Sequence, residues 1–223
     1  MTQDRDWDEL ADELGVAAVA DGDPTRWYDE LWSAAARGEV SMPWDRTAPH
    51  DLLADFVAGK DGAGLRAVVV GAGYGADAEH LASLGYDTTA FDISQAAVAA
   101  ARERYPDSAV DYRVADLLDL PEDLVGAFDL VIEIYTVQAL HGSLREGAVS
   151  GVRRLVAPGG TVLVVQIVRD DGEEVGAEPP WLLDRAEMAA LEGEGLVAES
   201  LDRVPNPNVP EAWDRWRMVL IRR

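Results

Sequence analysis

Apolar and polar positions fall into alternating blocks from Leu65 onward. "LRAVVV" (65–70) is a short unbroken apolar run, as in strands buried on both faces. "ADAEHLASLG" (76–85) has the wider spacing of a helix ending at Gly85. "DTTAFDI" (87–93) predicts a second strand, after which Ser94 is placed to cap the helix "QAAVAAARERY". "VDYRVAD" (110–116) and "FDLVIEIYTV" (128–137) predict two more strands. A helix "SLREGAVSGVRRLV" follows, stopped by "APGG", and then a fifth strand, "TVLVVQIV". Strands alternating with helices predict a parallel sheet covered on both faces.

The two ends of the chain break this rhythm. "LDRAEMAALEGEG" (183–195) reads as a helix, and "LVAESLDRV" and "WDRWRMVLIRR" as strands joined by "PNPNVPEA". That connection is too short for a helical crossover, so the pair must be an antiparallel hairpin. The expected fold is α/β, with seven strands, one of them reversed, and helices on both faces. The first 60 residues read as helical and aromatic. In "PTRWYDELWSAAARG", Pro24 opens a helix and Gly38 closes it, with Trp27 and Leu31, and Tyr28 and Trp32, sharing a face. Such a stripe reads first as packing. A Pro-punctuated loop and a short helix from about Pro49 to Ala58 complete the segment. The expected organisation is an N-terminal helical segment over 1–60 on an α/β unit over 61–223, together one structural unit.

Composition removes whole chemistries. With 223 residues and 48% hydrophobic content, one domain with a substantial core is expected. No cysteine is present, which excludes disulfides, zinc–thiolate sites, iron–sulfur clusters and thiol nucleophiles; no metal site is expected. The single lysine, Lys60, sits in "AGKDGAG", outside any P-loop, Tyr-x-x-x-Lys pair or Schiff-base context. Nineteen basic against 42 acidic residues give a net charge of −23, a poor match for nucleic acid or an anionic membrane. The acidic start "MTQDRDWDEL" has no basic, apolar leader, so a cytoplasmic protein is expected.

The chemistry-bearing residues gather at the predicted strand ends. Gly71, Gly73 and Gly75 let the backbone turn sharply and approach a ligand, and the helix behind them offers unpaired N–H groups to an anion, either a pyrophosphate or an amino-acid carboxylate. Asp92, at the tip of the second strand, is placed to accept from a ribose diol. The alternative is a bare structural turn. Asp116 ends the third strand and suits either an exocyclic amine or a backbone cap. Glu133 and Tyr135 end the fourth, where a buried carboxylate needs a cationic partner.

Taken in order, these motifs resemble the class I S-adenosylmethionine-dependent methyltransferases, over nearly the whole chain from Trp27 to Arg222. Within that class, "WYDELW…PWDRTAPHDLL", "GAGYGAD" and "GYDTTAFDIS" resemble the thiopurine/tellurite-resistance-like branch of small-molecule enzymes. Ala72 replaces the usual middle residue of "GCG", and Thr47 stands where the branch usually has glycine. The resemblance implies a Rossmann-like sheet with an N-terminal helical lid. It implies S-adenosylmethionine as donor, held by Gly71, Ala72, Gly73, Gly75, Asp77, Asp92, Ile93, Asp116, Leu117, Glu133 and Trp44. The cofactor carboxylate would meet the N–H groups around Gly73 and Gly75, and its ammonium the strand end near Gly71 and Glu133. Transfer to a small-molecule acceptor would be an in-line displacement, helped chiefly by alignment and desolvation. Tyr135 and His141 are the candidate catalytic residues, with His141 the first choice of base and His50 the second; His80, inside a helix, reads as structural. A nicotinamide-dependent oxidoreductase shares the glycine loop and Asp92, and a non-catalytic binding protein is the other alternative.

Overall fold

Val68, Val69 and Val70 are all buried, and alternate members point to opposite faces of a seven-stranded sheet. A computed structural model describes residues 6–206 and 213–223, so most of the "PNPNVPEA" connection lies outside the described residues. In chain order the helices are α1 (Trp7–Ala20), α2 (Arg26–Ala36), α3 (Asp51–Val57), α4 (Ala76–Ser83), α5 (Gln95–Arg104), α6 (Thr136–Ala139), α7 (Arg145–Leu155) and α8 (Arg185–Ala189). The strands are β1 (Arg66–Val70), β2 (Asp87–Asp92), β3 (Asp111–Val114), β4 (Phe128–Ile134), β5 (Val156–Ile167), β6 (Leu196–Val204) and β7 (Arg215–Arg222).

The strand order is β3-β2-β1-β4-β5-β7-β6. Strands β1 to β5 run parallel, and β7 is antiparallel to both β5 and β6. One strand is reversed, as the hairpin argument requires. Val68 and Val70 pack with Phe91, Phe128 and the apolar faces of α7 and α8. Ala67 and Val69 pack with Leu53, Leu81, Val98 and Ile132 on the other face. Each face supplies a core, and the ligand-bearing loops are left at the strand ends.

A third apolar cluster gathers Leu10, Trp27, Leu31, Trp32 and Met42 against Ala97 of α5. The aromatic stripe of α2 is therefore mostly packing, which seats this helix between α1 and α5. Ser94 caps α5 by accepting from Ala97 N at 3.1 Å, as its position before the helix implies.

Two expected elements differ. The helix predicted over 183–195 is only five residues long; Asp184 and Glu187 form a capping box at its start, and Gly193, Glu194 and Gly195 take positive φ and end any continuation. "APGG" does not separate helix from strand: β5 begins at Val156, and the Pro-Gly-Gly run lies in its head beside a register irregularity against β4. No described helix is long and apolar enough to cross a membrane.

Candidate active site

Strands β1 and β4 are neighbours, with Val70 paired opposite Glu133, so the loops leaving them share one crevice where the strand order reverses. The glycine loop leaves β1. Gly71, Gly73 and Gly75 take φ of +62°, +51° and +89°. A Cβ on Gly71 would lie 2.3 Å from Thr136 Oγ1, and one on Gly75 would lie 2.2 Å from the Tyr112 hydroxyl. These two glycines are needed for space as well as conformation. Above Gly73 the first atom met is Trp32 Cζ2 at 3.4 Å, with Trp44 at 3.8 Å, so this glycine faces the N-terminal segment. Ala72 N donates to Phe91 O at 3.0 Å and ties the loop to β2.

Asp92, at the end of β2, is buried and accepts from Gly73 N at 3.1 Å and Ser94 N at 3.0 Å. Burial pushes its carboxyl pKa up against these backbone donors. Each oxygen carries one such bond and keeps acceptor capacity for a diol. Beside it, Ile93 borders a shallow depression of ≈ 400 Å³ with Asp23, Thr25, Arg26, Asp29 and Glu30. A glycine approach surface, a buried carboxylate with acceptor capacity and one apolar side chain, Ile93, fit the nucleoside end of S-adenosylmethionine. Helix α2 leans over this position: Asp29 accepts from Ser94 Oγ at 2.7 Å, and the Tyr28 hydroxyl donates to Ala139 O. Trp44, partly exposed, packs edge-on to Trp7.

Several expected contacts take other forms. The N–H groups of Gly73 and Gly75 donate to Asp92 and to Ala72 O, so neither faces outward for a carboxylate. Asp77 lies in the first turn of α4. It is buried, bound bidentately by Arg46 at 3.0 and 2.6 Å, and accepts from His50 N at 2.7 Å. Glu133 is fully buried and accepts from Thr136 N at 2.8 Å, Val137 N at 2.9 Å and Gln166 Nε2. Burial pushes it up to about 7 despite those donors. It holds the start of α6. Asp116 accepts from Leu118 N at 2.8 Å and makes a turn two residues on, not a helix cap. The Leu117 side chain enters the core against Gly151 of α7.

Tyr135 follows β4 directly at φ +62°, a sparsely populated conformation for a bulky residue. Its hydroxyl lies 3.0 Å from Nε2 of His50, not of His141. His141 instead bonds Ser143 Oγ through Nδ1 at 2.8 Å and packs edge-on to Trp181 at 5.1 Å, alongside the loop before α8. Of the two candidate bases, the structure brings the second to Tyr135. Asp51, at 3.2 Å from His50 Nδ1, and Arg215, at 2.6 Å from Asp51, complete this group. The sequence does not single out Arg46, Asp51 or Arg215; the first two stand in "PWDRTAPHD" and the third in "WDRWRMVLIRR", and their charges acquire partners through folding.

Residues 68–164 match a family model described as a methyltransferase domain. A ubiquinone biosynthesis O-methyltransferase of Xanthomonas oryzae pv. oryzae is 32% identical over 56% of each chain, so the present chain spans about half the length of the curated relatives it matches. Among solved structures, one described for the conversion of a disulfide bond into a thioacetal group during echinomycin biosynthesis is similar at TM-score 0.68 and 25% identity. That match covers 87% of this chain and 93% of the other. The 1,6-didemethyltoxoflavin-N1-methyltransferase of Burkholderia thailandensis, solved with S-adenosylhomocysteine, shares the fold at TM-score 0.61 and 17% identity, over 96% of this chain and 88% of its own. Residues 68–164 are thus similar to a methyltransferase domain, and the whole chain shares the fold of methyltransferases of known structure.

Proposed function

We propose that the chain transfers the methyl group of S-adenosylmethionine to a small-molecule nucleophile. The observation that carries this is Asp92, buried at the end of β2 and bonded to Gly73 of the glycine loop, with Ile93 lining the depression beside it. Asp92 holds the ribose, Ile93 flanks the adenine, and the Asp116 turn closes the adenine edge. Bound there, S-adenosylmethionine supplies an electrophilic methyl on a sulfonium. The protein supplies alignment and exclusion of water, which are the main needs of an in-line displacement.

Residues 1–60 serve as a lid. Trp32, Trp44 and Tyr28 lie against the loop and strand ends that hold the nucleoside, so binding must move or reshape them. The thiopurine/tellurite-resistance-like branch is supported by the Arg46–Asp77 pair, which joins the two motifs that suggested it, "PWDR" and "GAGYGAD". The similar proteins are named for acceptors of different chemistry, oxygen in one and ring nitrogen in another, so the acceptor follows from local residues and not from the fold.

The test has two stages. S-adenosylmethionine and S-adenosylhomocysteine should raise the melting temperature, and NADH should not, because a ligand that binds only the folded state stabilises it by mass action. A donor labelled in the methyl group should then label a product from a panel of phenols, thiols and amines. Stabilisation by NADH alone would return the chain to the oxidoreductase reading.

A further inference from the structure

We propose that Glu133 is a proton-sensitive latch at the crevice: its protonation turns over the Gln166 amide, takes the acceptor from Gln138 N and speeds the opening of the N-terminal lid. The inference deepens the methyltransferase reading and rests on it only for the ligand. Its frame is three buried side chains, Glu133 near the end of β4, Gln166 near the end of the neighbouring β5, and Gln138 in α6.

Among the described residues, each group bonded to the Glu133 carboxylate is a donor. Oε1 accepts from Thr136 N at 2.8 Å and Val137 N at 2.9 Å, and Oε2 accepts from Gln166 Nε2. The other end of the Gln166 amide fixes its orientation, because Oε1 there accepts from Gln138 N at 3.2 Å. A backbone N–H can only donate, so Nε2 must point to Glu133. Gln138 Oε1 accepts in turn from Ile167 N at 2.6 Å and ties α6 to the end of β5. Only an ionised carboxylate completes this network. A proton on Oε2 finds an acceptor if the Gln166 amide turns over, and Nε2 then faces Gln138 N, donor against donor.

The segment that loses this bond is the one the lid grips. Gln138 O accepts from Trp181 N at 2.8 Å, and Ala139 O accepts from the Tyr28 hydroxyl of α2. Arg145 Nη2 holds Trp181 O at 2.9 Å on the far side. Helix α2 is also bonded beside Asp92, through Asp29 and Ser94 Oγ at 2.7 Å. The grip of Tyr28 on Ala139 therefore sets how readily α2 leaves the crevice.

Burial pushes the Glu133 carboxyl up to about 7, against the Val137, Thr136 and Gln166 donors and the charge of Arg145. Arg145 of α7 is the charged group that acts on it. Strands β1 and β5 set Val70 and Val164 opposite it, and α6 sets Thr136 and Val137. Both forms are populated near neutrality. Protonation relieves a buried charge, which favours the folded chain as a whole, and loses one hydrogen bond locally. The lid loosens while the fold does not.

The first measurement needs no ligand. Hydrogen exchange of the whole protein, followed by NMR and corrected for the intrinsic pH dependence of exchange, reads the Gln138 amide. Its protection should fall by about tenfold from about pH 8 to about pH 6, while Thr136 and Val137 keep theirs. Glu133→Gln should hold Gln138 at the low-pH value throughout, because the new amide forces the same turn-over of Gln166. His141→Asn, which removes the imidazole nearest in sequence, should leave the step in place. Protection of Gln138 that does not change with pH in the wild type overturns the latch, and that result needs no variant to fold.

The second measurement is the rate at which S-adenosylhomocysteine binds and leaves. Both rates should rise by roughly three- to tenfold over the same fall in pH, and both should be fast throughout in Glu133→Gln. A pH step at Gln138 with unchanged ligand rates overturns the control of the lid. A protein that binds no S-adenosylhomocysteine removes the methyltransferase reading instead, and the step at Gln138 still decides the latch.

Discussion

The guanidinium of Arg46 holds both carboxylate oxygens of Asp77, Nη1 to Oδ1 at 3.0 Å and Nη2 to Oδ2 at 2.6 Å. Asp77 opens the helix behind the glycine loop, and its Oδ1 also receives the His50 backbone N–H. One carboxylate thus fastens the N-terminal segment to the loop and sets the position of His50. Asp77→Ala would leave the buried His50 N–H without a partner and the Arg46 guanidinium with only the Ala48 carbonyl. It should cost about 2–4 kcal/mol of stability in urea unfolding. Affinity for S-adenosylhomocysteine should fall less than stability does. Unchanged unfolding with lost affinity would restore Asp77 as a direct ligand.

Asp92 should behave in the opposite way. The backbone N–H groups around it leave acceptor capacity that a bound diol would use. Asp92→Ala should weaken S-adenosylhomocysteine binding by roughly 2–4 kcal/mol through loss of charge-assisted hydrogen bonds. Calorimetry reads this directly, and an unaltered dissociation constant would show that the ribose lies elsewhere.

Gly71 tests the loop as a packed object. Its φ of +62° strains any side chain, and the added methyl would lie 2.3 Å from Thr136 Oγ1 and 3.0 Å from Cγ2. Gly71→Ala should destabilise by about 2–4 kcal/mol. Adding Thr136→Ala removes both of those atoms and should recover part of the loss, leaving the conformational strain. No recovery in the double variant would mean that the backbone alone accounts for the glycine.

Two buried groups give the pH dependence of stability opposite signs. His50 is lowered by burial from 6.5 to about 4, so its contribution is full above 6.5 and is lost as pH falls toward 4. Glu133 is raised by burial from 4.5 to about 7, so its contribution is full below 4.5 and is lost as pH rises through 7. Between 4.5 and 6.5 the two oppose each other. His50→Asn removes only the first, so the stability gap in favour of the wild type should widen by about 3 kcal/mol from pH 4 to 7. Urea midpoints across that range measure it. A constant gap would show that His50 is not held neutral by burial.

The sheet and the turn that buries Asp92 were legible in the sequence because their causes are local. Apolar runs of strand length, capped helices at regular intervals and a connection too short for a crossover leave few topologies open. Asp92 and the glycines of the loop follow from a strand ending in a tight turn, and the turn chemistry is written within a few residues. The protein partners of Glu133, Asp77 and Tyr135 were not legible, for a shared reason. Their roles depend on what packs against them from distant segments. Glu133 points beneath α6 to Gln166, 33 residues on; Asp77 meets Arg46, 31 residues before it; and Tyr135 meets His50, 85 residues before it. Sequence spacing places a carboxylate at a strand end, but burial and partner decide whether it faces a ligand or closes a helix. By itself the sequence determined the succession of strands and helices along the chain, the reversed strand and the glycine loop that leaves β1. Only the tertiary structure decided which histidine meets Tyr135, because that pairing is made by packing the N-terminal segment across the sheet edge and no local preference encodes it.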